Sequence, residues 1–294
     1  MGGMATRRSD SVRAAARDFW QLPDDALDQL LTLSGEADRV ELKLTVPGPA
    51  HDAACAALGV DFARVRADRV YYLDTEDRTL DRQGVVVRVR SIAGGPDDSV
   101  VKLRPVSPGA IPAALRHSAK FVVEVDAMPG SFVCSGALKA RLGAHAVERA
   151  MARRRPLRAL FSGPQLRMLA ARLPRQAAID DLAILGPVDA RRRKLVPAGL
   201  DRALLVEQWT FPDNSRILEL STRCRPDAIL PVAARMAAVL RAHGVDLTGP
   251  QQTKTHATLD FFSTRPETPS NDRQGGTVIA DQDRHRVSEA ISSR

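Results

Sequence analysis

Four short segments of this chain alternate ionised and aliphatic residues with a period of two. Glu41 and Lys43 alternate in VELKLTV, and Arg88 and Arg90 in GVVVRVRSI. Lys102 and Arg104 alternate in SVVKLRPV, and Glu124 and Asp126 in FVVEVDA. A β-strand sends successive side chains to opposite faces, so each segment has one oily face and one charged face. Ordinary half-buried strands also alternate, but here the polar face is Arg, Lys or carboxylate, with little Ser, Thr or Gln. That pattern suits a sheet lining a site for a polyanion and its metal ion.

The remaining composition narrows the class. A chain of 294 residues with 44% hydrophobic content can bury a core as one large domain or two small ones. Its formal charge, 43 − 35 = +8, favours anionic partners: nucleic acid, anionic lipid or phosphorylated small molecules. Only six of the 43 basic residues are lysine, and two of them, Lys43 and Lys102, sit on charged strand faces. Lysine is a compact point charge where arginine is a planar fork. Three cysteines, Cys55, Cys134 and Cys224, lie far apart and outline neither a metal site nor a disulfide framework. A reducing cytoplasm is therefore the expected compartment. No apolar run approaches a membrane span, and the first residues lack the apolar core of a secretory leader.

Along the chain, residues 1–37 read as a mobile polar arm followed by a short amphipathic helix. Strands are predicted at 39–46, 67–75, 85–92, 99–106 and 120–127, separated by short turns. Consecutive strands with short turns imply a mainly antiparallel sheet. Residues 131–173 switch to a helical period, within a helical insertion of about 131–185. Its ARRRPLR run is better explained as a solvated helix face than as a nucleic-acid site. Strands resume in ARRRKLVP, ALLVEQWTF and SRILELSTR, the last two joined at the turn 211–215. A helix follows at 231–244. Residues 263–294 are polar and expected to be disordered.

If about eight strands close into a barrel, the aliphatic faces need helices over them and the ionised faces line the lumen. Burying so many charges requires compensation from carboxylates, water or a bound phosphate chain with metal.

The residues resemble the CYTH superfamily, the triphosphate tunnel metalloenzymes. The likeness rests on RVELKLTV, YYLDTEDRTLDRQGVVVRVR, VVKLRP, FVVEVD, ARRRKLV, LLVEQWTFPDNSRILELS and QQTKTHATLDFF, in family order over 38–262. It implies an α+β fold: an antiparallel eight-stranded β-barrel with helices packed outside. It also implies divalent-metal-dependent hydrolysis of a triphosphate compound, with Mg²⁺ or Mn²⁺. The catalytic residues would be Glu41, Lys43 and Lys102. Phosphate would be held by Lys43, Arg88, Arg90, Lys102, Arg104, Arg193, Lys194 and Lys254, and metal by Glu41, Glu124, Asp126 and Glu219, with Glu207 as a helper. The partner would be a triphosphate-containing small molecule or polyphosphate, not a membrane, with nucleic acid the weaker option.

Two departures stand out. The family's opening Glu-x-Glu-x-Lys reads Arg39-x-Glu41-x-Lys43 here, and its late Glu-x-Glu pair keeps only Glu219, with Ser221 after it. Fewer acids weaken a metal site, since hard divalent ions want oxygen ligands. This keeps two alternatives open: a class IV-type adenylyl cyclase, and a non-catalytic polyphosphate or nucleotide binder. Phosphoryl transfer is mainly positioning and electrostatics, so no Ser, Cys or His nucleophile is needed. His117 and His256 read as surface or structural, Tyr71, Tyr72, Trp209 and Phe211 as packing, and Asp74 and Thr75 as turn residues.

Overall fold

The charged alternations form the inner wall of a closed barrel. The computed structural model describes residues 2–263, with side chains from residue 11 onward. Its strands are β1 (Arg39–Val46), β2 (Asp68–Asp74), β3 (Val85–Ser91), β4 (Asp98–Leu103), β5 (Phe121–Met128), β6 (Ser131–Arg141), β7 (Ala183–Leu195), β8 (Leu204–Thr210) and β9 (Arg216–Cys224). They close in the order β1-β5-β6-β4-β3-β2-β7-β8-β9. The barrel is therefore nine-stranded and mixed, where eight antiparallel strands were expected. The ninth strand is β6, and the parallel pair is β1 with β5.

The register fixes which residues face inward. Opposed residues of neighbouring strands share a face, so Lys43 opposite Ser221, Glu207 opposite Glu219 and Arg88 opposite Tyr72 all point into the lumen. The alternate residues point out. Val40, Leu42, Val87, Val89, Val101, Val123, Val125, Leu218 and Leu220 are all at most 1% exposed. Helices cover them: α1 (Gly2–Trp20), α2 (Asp24–Gly35), α3 (His51–Ala57), α4 (Thr79–Arg82), α5 (Ala113–Arg116), α6 (Ala146–Met151), α7 (Gly163–Ala170) and α8 (Ile229–Ala242). The main hydrophobic core thus lies between barrel and helices.

Two segments differ from the sequence expectation, and a third had none. Where a mobile arm was expected, α1 runs to Trp20 and packs on α8, with Phe19 and Trp20 fully buried. The stretch 131–141 is strand β6, not helix, so the insertion between strands spans only 142–182. Its Ala, Leu and Lys residues favour helix locally, but pairing on both sides with β4 and β5 overrides that preference. The third is helix α9 (Lys254–Ser263), which includes LDFF and packs against the inner face of β2, β7 and β8 through Ala257 and Leu259 beside Val70, Tyr72, Val188 and Trp209. The expected disordered tail lies outside the described residues, apart from Ser263. Among the described residues, no helix is long and apolar enough to cross a membrane.

Candidate functional site: a charged barrel lumen

Parallel pairing of β1 with β5 builds the centre of the lumen. It sets Glu41 beside Asp126 and Arg39 beside Glu124. Glu41, Glu124 and Asp126, all buried, offer carboxylate oxygens within 4.8 Å of one another. Basic groups already hold each of them. Lys43 Nζ lies 3.1 Å from Glu41 Oε2 and 2.9 Å from Asp126 Oδ1. Lys102 Nζ donates to Asp126 Oδ2 at 2.9 Å, with Arg104 Nη1 at 3.7 Å from the same oxygen. Arg223 Nη2 is 3.0 Å from Glu41 Oε1, and its Nε is 3.3 Å from Glu124 Oε2, which Arg39 Nε also contacts.

Small residues make these contacts possible. β6 separates β4 from β5, and between the β4 bases and the β5 acids it shows Val133, Ser135 and Ala137 to the lumen, so the long β4 bases reach across to the β5 acid. Arg104 lies past the end of β4. Its N–H donates to the Gly84 carbonyl at 2.7 Å, and a Cβ on Gly84 (φ +70°) would stand 2.6 Å from the Arg104 carbonyl. Only glycine fits that approach. Nearby, Asp74 accepts from the Thr75, Leu80 and Asp81 amides, the turn role expected of it.

A second cluster joins β8, β9 and α9. Glu207 and Glu219 face each other in register, and Lys254 Nζ bridges them, bonding Glu207 Oε2 and lying 2.8 Å from Glu219 Oε1. The same ammonium sits 5.3 Å over the Trp209 ring, a cation–π distance. A third cluster is basic. Arg90 Nη2 donates to Asp98 Oδ2 at 2.5 Å, Lys139 Nζ lies 3.0 Å from that oxygen, and Arg192 Nη2 donates to Asp68 Oδ2 at 2.5 Å. Arg88 Nε and Arg90 Nε are buried with no hydrogen-bond acceptor among the described residues.

These contacts keep the lumen ionised. Burial would raise the Asp126 carboxyl, but Lys102, Lys43 and Arg104 hold it far below the usual aspartate range. Burial likewise pushes Glu41 up, and Lys43 and Arg223 outweigh it, so its carboxyl ends lower than ordinary. Burial would strip the Lys43 proton, but Asp126 and Glu41 carry its affinity well above normal. Glu207, raised by burial, is brought down to about 2 by Lys254.

The expected site residues divide accordingly. Glu41, Lys43, Arg88, Arg90, Lys102, Arg104, Glu124, Asp126, Glu219 and Lys254 all project into the lumen. Glu219 stands outside the three-carboxylate cluster and pairs with Lys254 instead. Arg193 and Lys194 cannot both face inward, being consecutive on one strand. Arg193 lies on the outer face opposite Val206 and donates to the Asp61 carbonyl, while Lys194 is exposed at the rim. Arg192, opposite Glu207, and Lys194, opposite Leu205, share the inward parity, and Arg192 is the less exposed of the two. Arg223 was also missed, although counting by twos from Glu219 through Ser221 reaches it.

No family model and no curated protein sequence matches this chain. Solved structures do. A Bacillus halodurans protein described as an adenylate cyclase candidate superposes with a TM-score of 0.52 at 14% identity, over 75% of this chain and 97% of that one. A Hippeastrum protein, described as a candidate adenylyl cyclase with a dominant triphosphatase activity, gives 0.54 at 14%, over 75% and 95%. Likeness at this level shows a common fold, and it is the closed-barrel fold implied by the resemblance to the triphosphate tunnel family.

Proposed function

We propose that this protein hydrolyses a triphosphate compound inside the barrel, with the help of a divalent metal ion. The observation that carries the reading is the pair of buried guanidinium nitrogens, Arg88 Nε and Arg90 Nε, left without acceptors on neighbouring inward positions of one strand. A buried donor without a partner is costly, and a phosphate oxygen would satisfy it. The relatives in fold, one with triphosphatase activity in its description, support the same substrate class.

The three carboxylates fit a hard divalent cation such as Mg²⁺ or Mn²⁺, by donor type and by spacing. Once bound, it would neutralise non-bridging phosphate oxygens and position water. The chain's own residues do the rest. Arg88 and Arg90 grip the phosphate chain. Lys43, Lys102 and Arg104 exchange carboxylate contacts for phosphate contacts as substrate enters, holding the scissile phosphorus amid positive charge. A cavity of about 330 Å³ beside Arg104 and Asp126, lined also by Val86, Met128, Val133 and Thr255, gives the rest of the substrate room. Three free thiols support a reducing compartment such as the cytoplasm.

Phosphate release from inorganic triphosphate, with and without Mg²⁺ or Mn²⁺, tests the reading. Metal-dependent release should fall by roughly 10²-fold or more in both Glu41→Gln and Lys102→Ala, the scale of losing one charge-stabilising contact. Cyclic AMP from ATP would move the assignment to a cyclase. A binding-only reading is favoured by one observation, the Arg39 and Arg223 contacts that already occupy Glu124 and Glu41. Triphosphate bound through Lys102 without turnover would establish it.

A further inference from the structure

Five cations, Arg39, Lys43, Lys102, Arg104 and Arg223, contact the three carboxylates of the central cluster. The cluster is therefore locally positive, although its donor types suit a metal ion. The five are not equivalent. Lys43, Lys102 and Arg104 have side chains less than a fifth exposed and reach their acids from inside the barrel. Arg39 and Arg223 are 42% and 54% exposed and cover Glu41 and Glu124 from the mouth formed by the start of β1 and the end of β9. A divalent ion arriving alone meets net positive charge, and to reach Glu41 and Glu124 through that mouth it must push aside both guanidinium groups.

We propose that Arg39 and Arg223 are positioning residues that make metal binding conditional on the anion. The tunnel takes up the metal-free triphosphate first, and only then can the carboxylates accept a divalent ion. Resting on the triphosphate reading, the inference adds an order of binding and a role for two arginines. The phosphate chain supplies oxygens for which guanidinium and ammonium groups leave their carboxylates. Each departure frees lone pairs on Glu41, Glu124 or Asp126. Surplus positive charge makes the free anion, not its metal complex, the preferred first ligand. Because coupling between two ligands is reciprocal, the metal must tighten triphosphate binding by the factor by which triphosphate tightens the metal.

Mn²⁺ binding followed by paramagnetic resonance, and tripolyphosphate binding followed by calorimetry, test this without any turnover measurement. In the native chain, tripolyphosphate should bind in EDTA, and Mn²⁺ alone should bind at least about tenfold more weakly than with tripolyphosphate present. Arg39→Gln and Arg223→Gln should each strengthen binding of Mn²⁺ alone while weakening tripolyphosphate in EDTA. Arg39 is the safer of the two for folding, being half exposed with one carboxylate partner, and thermal melts confirm that both variants fold. Native protein that binds Mn²⁺ alone as tightly as either variant overturns the proposal. So does tripolyphosphate that binds only with Mn²⁺ present, and either result leaves the triphosphate reading intact. Native protein that binds no tripolyphosphate under any condition removes that reading, and this inference with it.

Discussion

Glu207 and Glu219 are a like-charged pair placed directly opposite on neighbouring strands, an arrangement that is destabilising by itself. Lys254 is what makes it tolerable. Lys254→Met should leave two buried carboxylates without their cation and cost about 3 kcal/mol or more, read by chemical denaturation at pH 7. Adding Glu207→Gln should recover part of that loss, which would separate charge repulsion from lost packing. The pH dependence has a definite sign. Glu207 falls from an ordinary 4.5 to about 2 in the folded chain. A depressed acid stabilises fully above its unfolded value, and that contribution disappears as pH drops from about 4.5 to about 2. The stability gap between native protein and Glu207→Gln should therefore narrow across that window, followed by denaturant midpoints at pH 6, 4 and 2.

Among the elements, β6 carries the clearest test of packing. Gly136 lies on its outer face, where a Cβ would stand 2.3 Å from Phe121 Cζ. Gly136→Val should displace that ring and destabilise the barrel by about 1–3 kcal/mol, read as a lower thermal midpoint. The same strand shows where sequence reading runs out. Strands β1, β3, β4 and β5 are legible because strict alternation of charge with Val or Leu has no helical explanation. In β6 the lumen positions along most of the strand are Val133, Ser135 and Ala137, too small and neutral to mark a face, bases come only at its end with Lys139 and Arg141, and the Ala/Leu/Lys content favours a helix. Arg88, Arg90, Lys102, Glu124 and Asp126 could be assigned to one lumen from parity alone. Which strands stand beside which could not, because β1 meets β5 through a parallel pairing that no local pattern encodes. Lys254 could be suspected, but its delivery on a helix rather than a strand depends on tertiary packing. A run of three arginines has no fixed partner in the sequence to set its parity, and Glu207 opposite Arg192 supplies that partner, leaving Arg193 on the outer face.

The barrel carries its central ionised residues inside and its main apolar core between barrel and outer helices, with a smaller apolar cluster where α9 enters. The molecule's thiols report on that construction. Burial pushes Cys134 and Cys224 up to about 11, while Cys55 is only partly covered. At pH 8 the folded chain should expose one slowly reacting thiol to an aromatic disulfide reagent, and all three should react in denaturant. The count of reactive thiols then follows barrel opening directly. Closure itself has a kinetic meaning. Strand β1 joins β9 across a separation illustrated by the Ser221–Glu41 hydrogen bond, which spans 180 residues. Contacts of such span are slow to form, because the loop entropy is lost before the contact is gained. Glu41 and Lys43 ride on that seam, so a chain emerging from synthesis can assemble most of its walls yet own no working centre. The seam acts as a clasp: it fastens last, and the chemistry begins only when it does.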